Sequence, residues 1–202
     1  IGLMLSTVII GASLGIGDTV YHSIRIGALE AAGHVDETIT SPLRRFSIAR
    51  YFPEDKVYSF ENMFDGDDRV DGVISRISTS LPVMNSRTER TEARMTIRGY
   101  KADGQEGFGD ILGLEGNSPI YLSDLDDNQV ILNKNAADIL AANVGDSIDI
   151  YTGQGIAQYN VKYIAKHGGL ASGGDTNLVL MSLAQIQELT SKEGLIDWIG
   201  IS

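Results

Sequence analysis

Two neighbouring stretches alternate apolar and polar positions with period two: Ile77, Thr79, Leu81 and Val83, then Ala93, Met95 and Ile97, with the polar string NSRTERTE between them. That period puts every second side chain on one face of a sheet, so the pattern predicts a long β-hairpin. Shorter apolar runs predict further strands at 34–40, ending at Pro42, at 130–132, 147–151, 157–165, 178–181 and 196–202. In 157–165 the alternation places Val161, Tyr163 and Ala165 together.

Helical spacing appears four times. Val20, Ile24, Ala28 and Ala31 mark one face of a helix stopped by Gly33, and Val57, Phe60 and Phe64 one face of a helix over 54–64 ended by Gly66. Asn133 reads as the cap of a helix over 134–142, with Ala136, Ile139 and Leu140 inward. Ser182 and Gln185 have the spacing of a capping box that opens LAQIQELTS, and Gly194 stops that helix. Between these elements, Gly99 to Gly116 reads as a glycine-rich polar loop, Val144-Gly145-Asp146 and Gly153-Gln154-Gly155 as turns, and GGLASGGD at 168–175 as a flexible boundary. The sum is an α+β pattern, with β-α-β pieces at both ends around a smaller β-rich middle.

The first seventeen residues, IGLMLSTVIIGASLGIG, carry no charge. A membrane span needs ~20 apolar residues, so this run reads either as the end of such a span or as a buried core segment. The chain starts at Ile1 and stops within a strand-like run, and is read as a piece of a longer protein. Charge refines the picture. Sixteen Lys and Arg against 27 Asp and Glu leave a net charge of −11, which repels phosphate backbones and speaks against nucleic-acid partners. Residues 41–100 hold ten basic and nine acidic side chains, whereas 101–202 hold five Lys, no Arg and 14 acids. This change suggests a subdomain boundary between 100 and 120. With no cysteine, disulfide scaffolds, thiolate metal sites and thiol catalysis are excluded.

Four constellations could carry chemistry, and each is better explained without it. Gly11-Ala12-Ser13-Leu14-Gly15 matches a nucleophile elbow, with His167 later in the chain, but only ten residues precede Gly11, too few for the strands such an elbow packs beside. Small residues in a membrane helix give the same letters. GASLGIG also resembles the glycine-rich turn of short-chain dehydrogenases, yet no Tyr is followed four residues later by Lys, so that family's catalytic pair is missing. Asp65, Asp67, Asp68 and Asp71, and Asp124, Asp126 and Asp127, lack the ligand spacing of a calcium loop, and His22, His34 and His167 are scattered. Arg87, Arg90, Arg94 and Arg98 are interrupted by Glu89 and Glu92, the pattern of a salt-bridged sheet face. The expectation is no catalytic, no cofactor-binding and no metal-binding residue, and no enzymatic activity.

Several short features together resemble one family. The apolar run passing into Gly17-Asp18-Thr19 and Ser23-Ile24-Arg25, then Ala31-Ala32-Gly33 and a first strand, resembles the first membrane helix of MacB/FtsX/LolC-type ABC transporter permeases entering their extracytoplasmic domain. Val130-Ile131-Leu132, the helix after it, and Val144-Gly145-Asp146-Ser147-Ile148 resemble that family's strand, helix, V-G-D, strand unit, and 178–189 with Ile199 its closing β-α-β unit. The resemblance implies an α+β domain: 1–34 the end of the first transmembrane helix and its extension, 35–117 plus 175–202 a ferredoxin-like β-α-β subdomain, and 118–174 a small β-rich subdomain inserted in it. It further implies a location on the outer side of the cell membrane and a role in mechanotransmission or export, coupled to ATP hydrolysis by a cytoplasmic ABC ATPase. A second permease copy or paralogue would be a partner, and a lipoprotein, peptide or hydrophobic compound the substrate. NSRTERTE contains no hydrophobic tip or hook of the kind a lipoprotein chaperone would grip. A membrane-anchored sensor or binding domain would share the same α+β composition and entry helix.

Overall fold

The two alternating stretches do pair, as the longest hairpin of the fold. The computed structural model describes residues 21, 35–41, 50–116, 118–166, 168–172 and 176–202. In chain order the strands are β1 (Glu37–Thr40), β2 (Phe52–Pro53), β3 (Val73–Asn85), β4 (Thr91–Tyr100), β5 (Ile111–Leu112), β6 (Pro119–Ile120), β7 (Gln129–Asn133), β8 (Ser147–Thr152), β9 (Gly155–Ala165), β10 (Leu178–Ser182), β11 (Leu195–Ile196) and β12 (Trp198–Ile201). The α-helices among the described residues are α1 (Lys56–Phe64), α2 (Lys134–Leu140) and α3 (Leu183–Thr190). None is long and apolar enough to cross a membrane. The apolar run 1–17 and the predicted helix through Val20 and Ala31 fall almost wholly outside the described residues.

Eight strands form one sheet in the order β1-β12-β3-β4-β10-β7-β9-β8. β8 also pairs with the far end of β3, through Val83↔Ile150 and Asn85↔Ile148, so the six strands from β3 round to β8 close on themselves. This pairing covers the edge that β8, the last strand of the sheet, would otherwise leave open. β10 and β12 run parallel, joined by α3, with the antiparallel pair β3 and β4 between them. The strands of 118–174 are hydrogen-bonded on both sides to strands of the flanking segments, through β10 and β3, so the sheet is continuous across the expected limits.

Each sheet face buries its own apolar cluster. On one face, Val57 of α1, Ala136, Ala137 and Leu140 of α2, and Leu183, Ile186 and Leu189 of α3 cover Ile77, Met95, Ile97 and Val179. On the other, Ile74, Tyr100, Ile131, Leu178, Leu180 and Trp198 lie beneath Phe108, Ile111, Ile120, Leu122, Leu170 and Ala171 from the connections. β10, the uninterrupted apolar run LVLM, is therefore buried on both faces, Leu178 and Leu180 in one core and Val179 and Met181 in the other.

Local chemistry sets the helix ends. Asn133 caps α2 by accepting from Ala136 N at 2.9 Å, and also accepts from Leu178 N at 3.0 Å, which ties the helix start to β10. Ser182 and Gln185 form the capping box of α3. Both helices end on a non-glycine residue in the left-handed region, Ala141 at φ 45 and Ser191 at φ 51.

Several sequence expectations are corrected. Gly99 belongs to β4, and the glycine-rich stretch behind it contains β5, because Phe108 and Ile111 are fully buried and anchor it to the second core. Within 168–175 the segment 168–172 is no flexible boundary, since Leu170 and Ala171 are core residues. Ile139 is exposed and Ala137 takes its place inward, because the end of α2 turns its Ala136, Ala137 and Leu140 side to the sheet. Ala93 is exposed: the β3–β4 register shifts between Leu81 and Val83, at Pro82, which has no N–H for the ladder. A second shift between Val130 and Ile131 splits the expected Val161, Tyr163 and Ala165 face, with Val161 in the first core and Tyr163 and Ala165 in the second. The closing strand is broken at Asp197, whose carboxylate accepts from Arg50 Nη2 at 2.9 Å while Arg50 also reaches the Ser78 carbonyl.

Candidate functional site

A groove of about 800 Å³ opens beside the second half of β9. One wall is the β5–β6 hairpin, paired through Ile111↔Ile120 and closed by Gly113 N donating to Ser118 O at 2.9 Å. This hairpin extends the sheet along β9, with Leu114 N donating to Ile164 O and Lys166 N to Leu112 O, both at 2.8 Å. From behind, the buried Gln105 donates to Ile120 O and accepts from Leu122 N, each at 2.7 Å. The other wall is the end of α2 and the turn after it, where left-handed Ala141 sends the chain back through Ala142, Asn143 and Val144. Gly145, at φ +90, completes that turn and donates to Val161 O at 2.8 Å.

The lining mixes polar and apolar side chains, with Glu115, Asp138 and Lys162 as its charged residues. Leu114 and Val144 are 38% and 62% exposed, so each wall leaves a large aliphatic side chain in water. Lys162 on the floor is occupied, donating to the Asp124 carbonyl and lying 3.6 Å from the Asp126 carboxylate. Asp138 is paired with Lys134, whereas Glu115 makes no ion pair with a described residue. The lining thus holds two carboxylates and one ammonium group, two of the three already in ion pairs.

Behind the α2 wall, the hairpin tip is bound to the V-G-D turn. Asp146 receives Arg87 Nε and Nη2 at 2.7 Å each, Asn143 N at 2.8 Å and Asn85 Nδ2 at 3.1 Å. The Arg87 guanidinium, more than the other two donors, holds this carboxyl well below the usual carboxylate range against the opposing effect of burial. Arg87 and Thr88 also donate to the carbonyls of Ala141 and Leu140, groups left unpaired at the end of a helix.

Among the described residues, those singled out from sequence do not converge. Ser13, Gly11, Gly15, His22, His34 and His167 lie outside the described residues. Among the described ones no three His, Asp or Glu are placed to hold a metal ion. Asp67 is paired with Arg69, which lowers its pKa, and Asp126 with Lys162. The arginine series is not one salt-bridged face: Arg87 turns to Asp146 in the V-G-D turn and Arg98 to the Ser172 carbonyl in the connection before β10. From sequence, 144–146 reads as a turn and as part of the V-G-D unit, with no surface assigned to it. Val144, an aliphatic residue directly before Gly-Asp and outside any apolar period, was the available signal for an exposed wall residue.

No family model and no curated protein matches the sequence. In fold the chain is similar to the periplasmic region of MacB from Actinobacillus actinomycetemcomitans, with a TM-score of 0.57 and 10% identity over 82% of this chain and 72% of that one. It is also similar to the extracellular domain of the noncanonic ABC-type transporter YknZ from Gram-positive bacteria, with a TM-score of 0.54 and 14% identity over 82% of this chain and 83% of that one. The α+β fold implied by the sequence resemblance is thus observed, and it is strand-rich.

Proposed function

We propose that this chain is the extracytoplasmic domain of an ABC transporter permease of the MacB/FtsX/LolC type. The observation that carries the reading is the shared fold with two such domains over 82% of the chain, reached independently of the short sequence features that suggested the same family. In this reading the apolar run 1–17 is the end of the first membrane helix, and the domain stands outside the cell membrane. A cytoplasmic ABC ATPase supplies the energy, a second permease copy or paralogue completes the transporter, and the domain transmits the motion to an extracytoplasmic substrate or partner. The crossover β10-α3-β12 around the β3–β4 hairpin supports a ferredoxin-like unit from 35–117 plus 175–202, with 118–174 as an insert whose strands share its sheet. The closed ring of strands suits a lever, because a closed sheet passes force along covalent and hydrogen-bonded paths with no open edge to part.

The absence of cysteine gives a direct test. In the intact permease, Arg90→Cys at the exposed hairpin tip should react with a membrane-impermeant maleimide in whole cells whose outer barrier has been opened. Labelling only after lysis would place the domain on the wrong side and overturn the reading. The coding region should also hold about three further apolar spans of ~20 residues and a neighbouring ATPase with a phosphate-binding loop.

A further inference from the structure

On the sheet face away from the helices, the second core gives way to a row of hydrogen-bond donors. Arg76 of β3 pairs in the ladder with Trp198 of β12 on one side and Tyr100 of β4 on the other. Two residues further along the hairpin the same face carries Ser78 opposite Arg98, and two further still Ser80 opposite Thr96. Arg76 lies on the Trp198 ring and gives one N–H to Tyr100 Oη at 3.3 Å, and Arg98 gives one to the Ser172 carbonyl at 3.1 Å. The Nε of each is buried without an acceptor, and the hydroxyls of Ser78, Ser80 and Thr96 have no hydrogen-bond partner among the described residues.

The ion pairs run against the usual order. Arg50, Arg69 and Arg87 are exposed and each holds a carboxylate, whereas Arg76 and Arg98 are half-buried and hold none among the described residues. A cation partly withdrawn from water is costly without a counter-ion, and like charges on neighbouring strands add repulsion. Acids are not scarce in a chain with 27 of them, yet no described carboxylate is spent here. An anion from outside would supply the missing charge.

We propose that this face binds the phosphate group of a small soluble compound, with Arg76 and Arg98 as its charged donors and Ser78, Ser80 and Thr96 as its neutral ones. Two guanidinium groups flanked by hydroxyls match the two charges and several acceptor oxygens of a phosphate, where a single carboxylate would neutralise only one of them. The rest of the molecule limits the size of the ligand. With a net charge of −11, the chain repels extended polyanions and anionic membranes, which would meet acidic surface beyond these two strands. The inference goes beyond the permease reading and does not rest on it.

The test is equilibrium dialysis of the 202-residue chain against radiolabelled inorganic phosphate at low salt. Phosphate should bind, and acetate should compete at least about tenfold more weakly. Arg98→Gln should weaken binding at least about tenfold. Ser80→Asp should do the same by placing a negative charge on the face, and because Ser80 is exposed, circular dichroism should show this variant folded like the parent. Arg69→Gln, which removes an exposed arginine held by Asp67 outside this face, should bind phosphate like the parent. Failure of the parent chain to bind, unchanged affinity in both Arg98→Gln and Ser80→Asp, or acetate competing as well as phosphate would each overturn the proposal. Tighter binding to vesicles carrying phosphatidate than to glycerol phosphate would overturn the choice of a soluble ligand. None of these results bears on the maleimide accessibility of Arg90→Cys, so the two readings fail separately.

Discussion

Arg87 and Asp146 join the hairpin tip to the V-G-D turn through two parallel hydrogen bonds of 2.7 Å, one to each carboxylate oxygen. They are 59 residues apart in sequence, so this pair closes one of the long loops of the fold at the point where β8 meets β3. The same guanidinium reaches the Ala141 carbonyl, so a cation sits at the C-terminal end of α2, where the helix dipole favours one.

Asp146→Asn keeps the shape of the side chain and removes its charge. It should destabilise the chain by about 1–3 kcal/mol at neutral pH, the range for hydrogen bonds to charged groups, with the upper end reduced because Arg87 is half exposed and screened by solvent. Since folding depresses the Asp146 pKa, its contribution is fully present above the unfolded value of about 4 and disappears as pH falls through the folded one. Urea unfolding of parent and variant should therefore show a constant gap near neutrality that narrows below about pH 4. Equal stability at neutral pH would show that the pair is decorative.

Gly99 is a packing requirement of α3. A Cβ at this position would lie 2.2 Å from Ile186 Cγ2 and 2.8 Å from the Ser182 carbonyl oxygen, so helix and sheet meet there at a distance only glycine permits. Gly99→Ala should lower stability by about 1–3 kcal/mol through overpacking. Gly153→Ala, in a turn where an added Cβ meets nothing within 4 Å, should leave the melting temperature essentially unchanged. A melting temperature for Gly99→Ala equal to that of Gly153→Ala would contradict this account.

How much of this was legible in the sequence depended on whether the controlling interaction was local. The hairpin, the caps at Asn133 and Ser182 and the double-sided burial of 178–181 follow from periodicity and from side chains that act within three residues, and the structure contains them. Gly99 reads as loop from the sequence because glycines cluster after it, and the reason for this glycine, Ile186, is 87 residues away. Alternation alone puts Ala93 and Tyr163 on the wrong face, because a one-residue register shift reverses every later side chain and only the neighbouring strand reveals the shift. The groove was illegible for the same reason: its walls, Leu114 and Val144, come from segments that meet only through β9.

Gln105 should govern the order of the groove's hairpin wall. Its amide satisfies both Ile120 O and Leu122 N in a buried setting, so Gln105→Leu leaves two backbone groups unpaired at about 1–3 kcal/mol each. Hydrogen exchange provides a local readout, in which the Leu122 amide should lose protection while the amides of β10 retain theirs. Equal loss of protection in both places would mean that Gln105 supports the whole domain and not this wall.

Trp198, the single tryptophan of the chain, reports on the face opposite the helices. The Arg76 guanidinium carbon lies 4.2 Å from the centre of its ring and Nη1 donates to Tyr100 Oη at 3.3 Å, while Tyr100 meets the indole edge-on at 6.4 Å between ring centres. The indole folds back over Gly200, where a Cβ would stand 2.1 Å from it, so the missing side chain of one strand residue makes room for the large one two positions before it. Arg76 thus closes the last side of a stacked site in which Trp198 is only 7% exposed. Native emission should be blue-shifted and poorly quenched by acrylamide. Arg76→Ala should shift the emission to the red, raise quenching and lower stability by about 1–2 kcal/mol, as expected for a cation–π contact partly withdrawn from water. Arg76→Lys, which keeps the charge and loses the flat guanidinium, should fall between the two. If Arg76→Ala left both the spectrum and the stability of the parent intact, the indole would be held by Gly200 and Tyr100 alone, and the stacked arginine would be a consequence of the packing and not one of its causes.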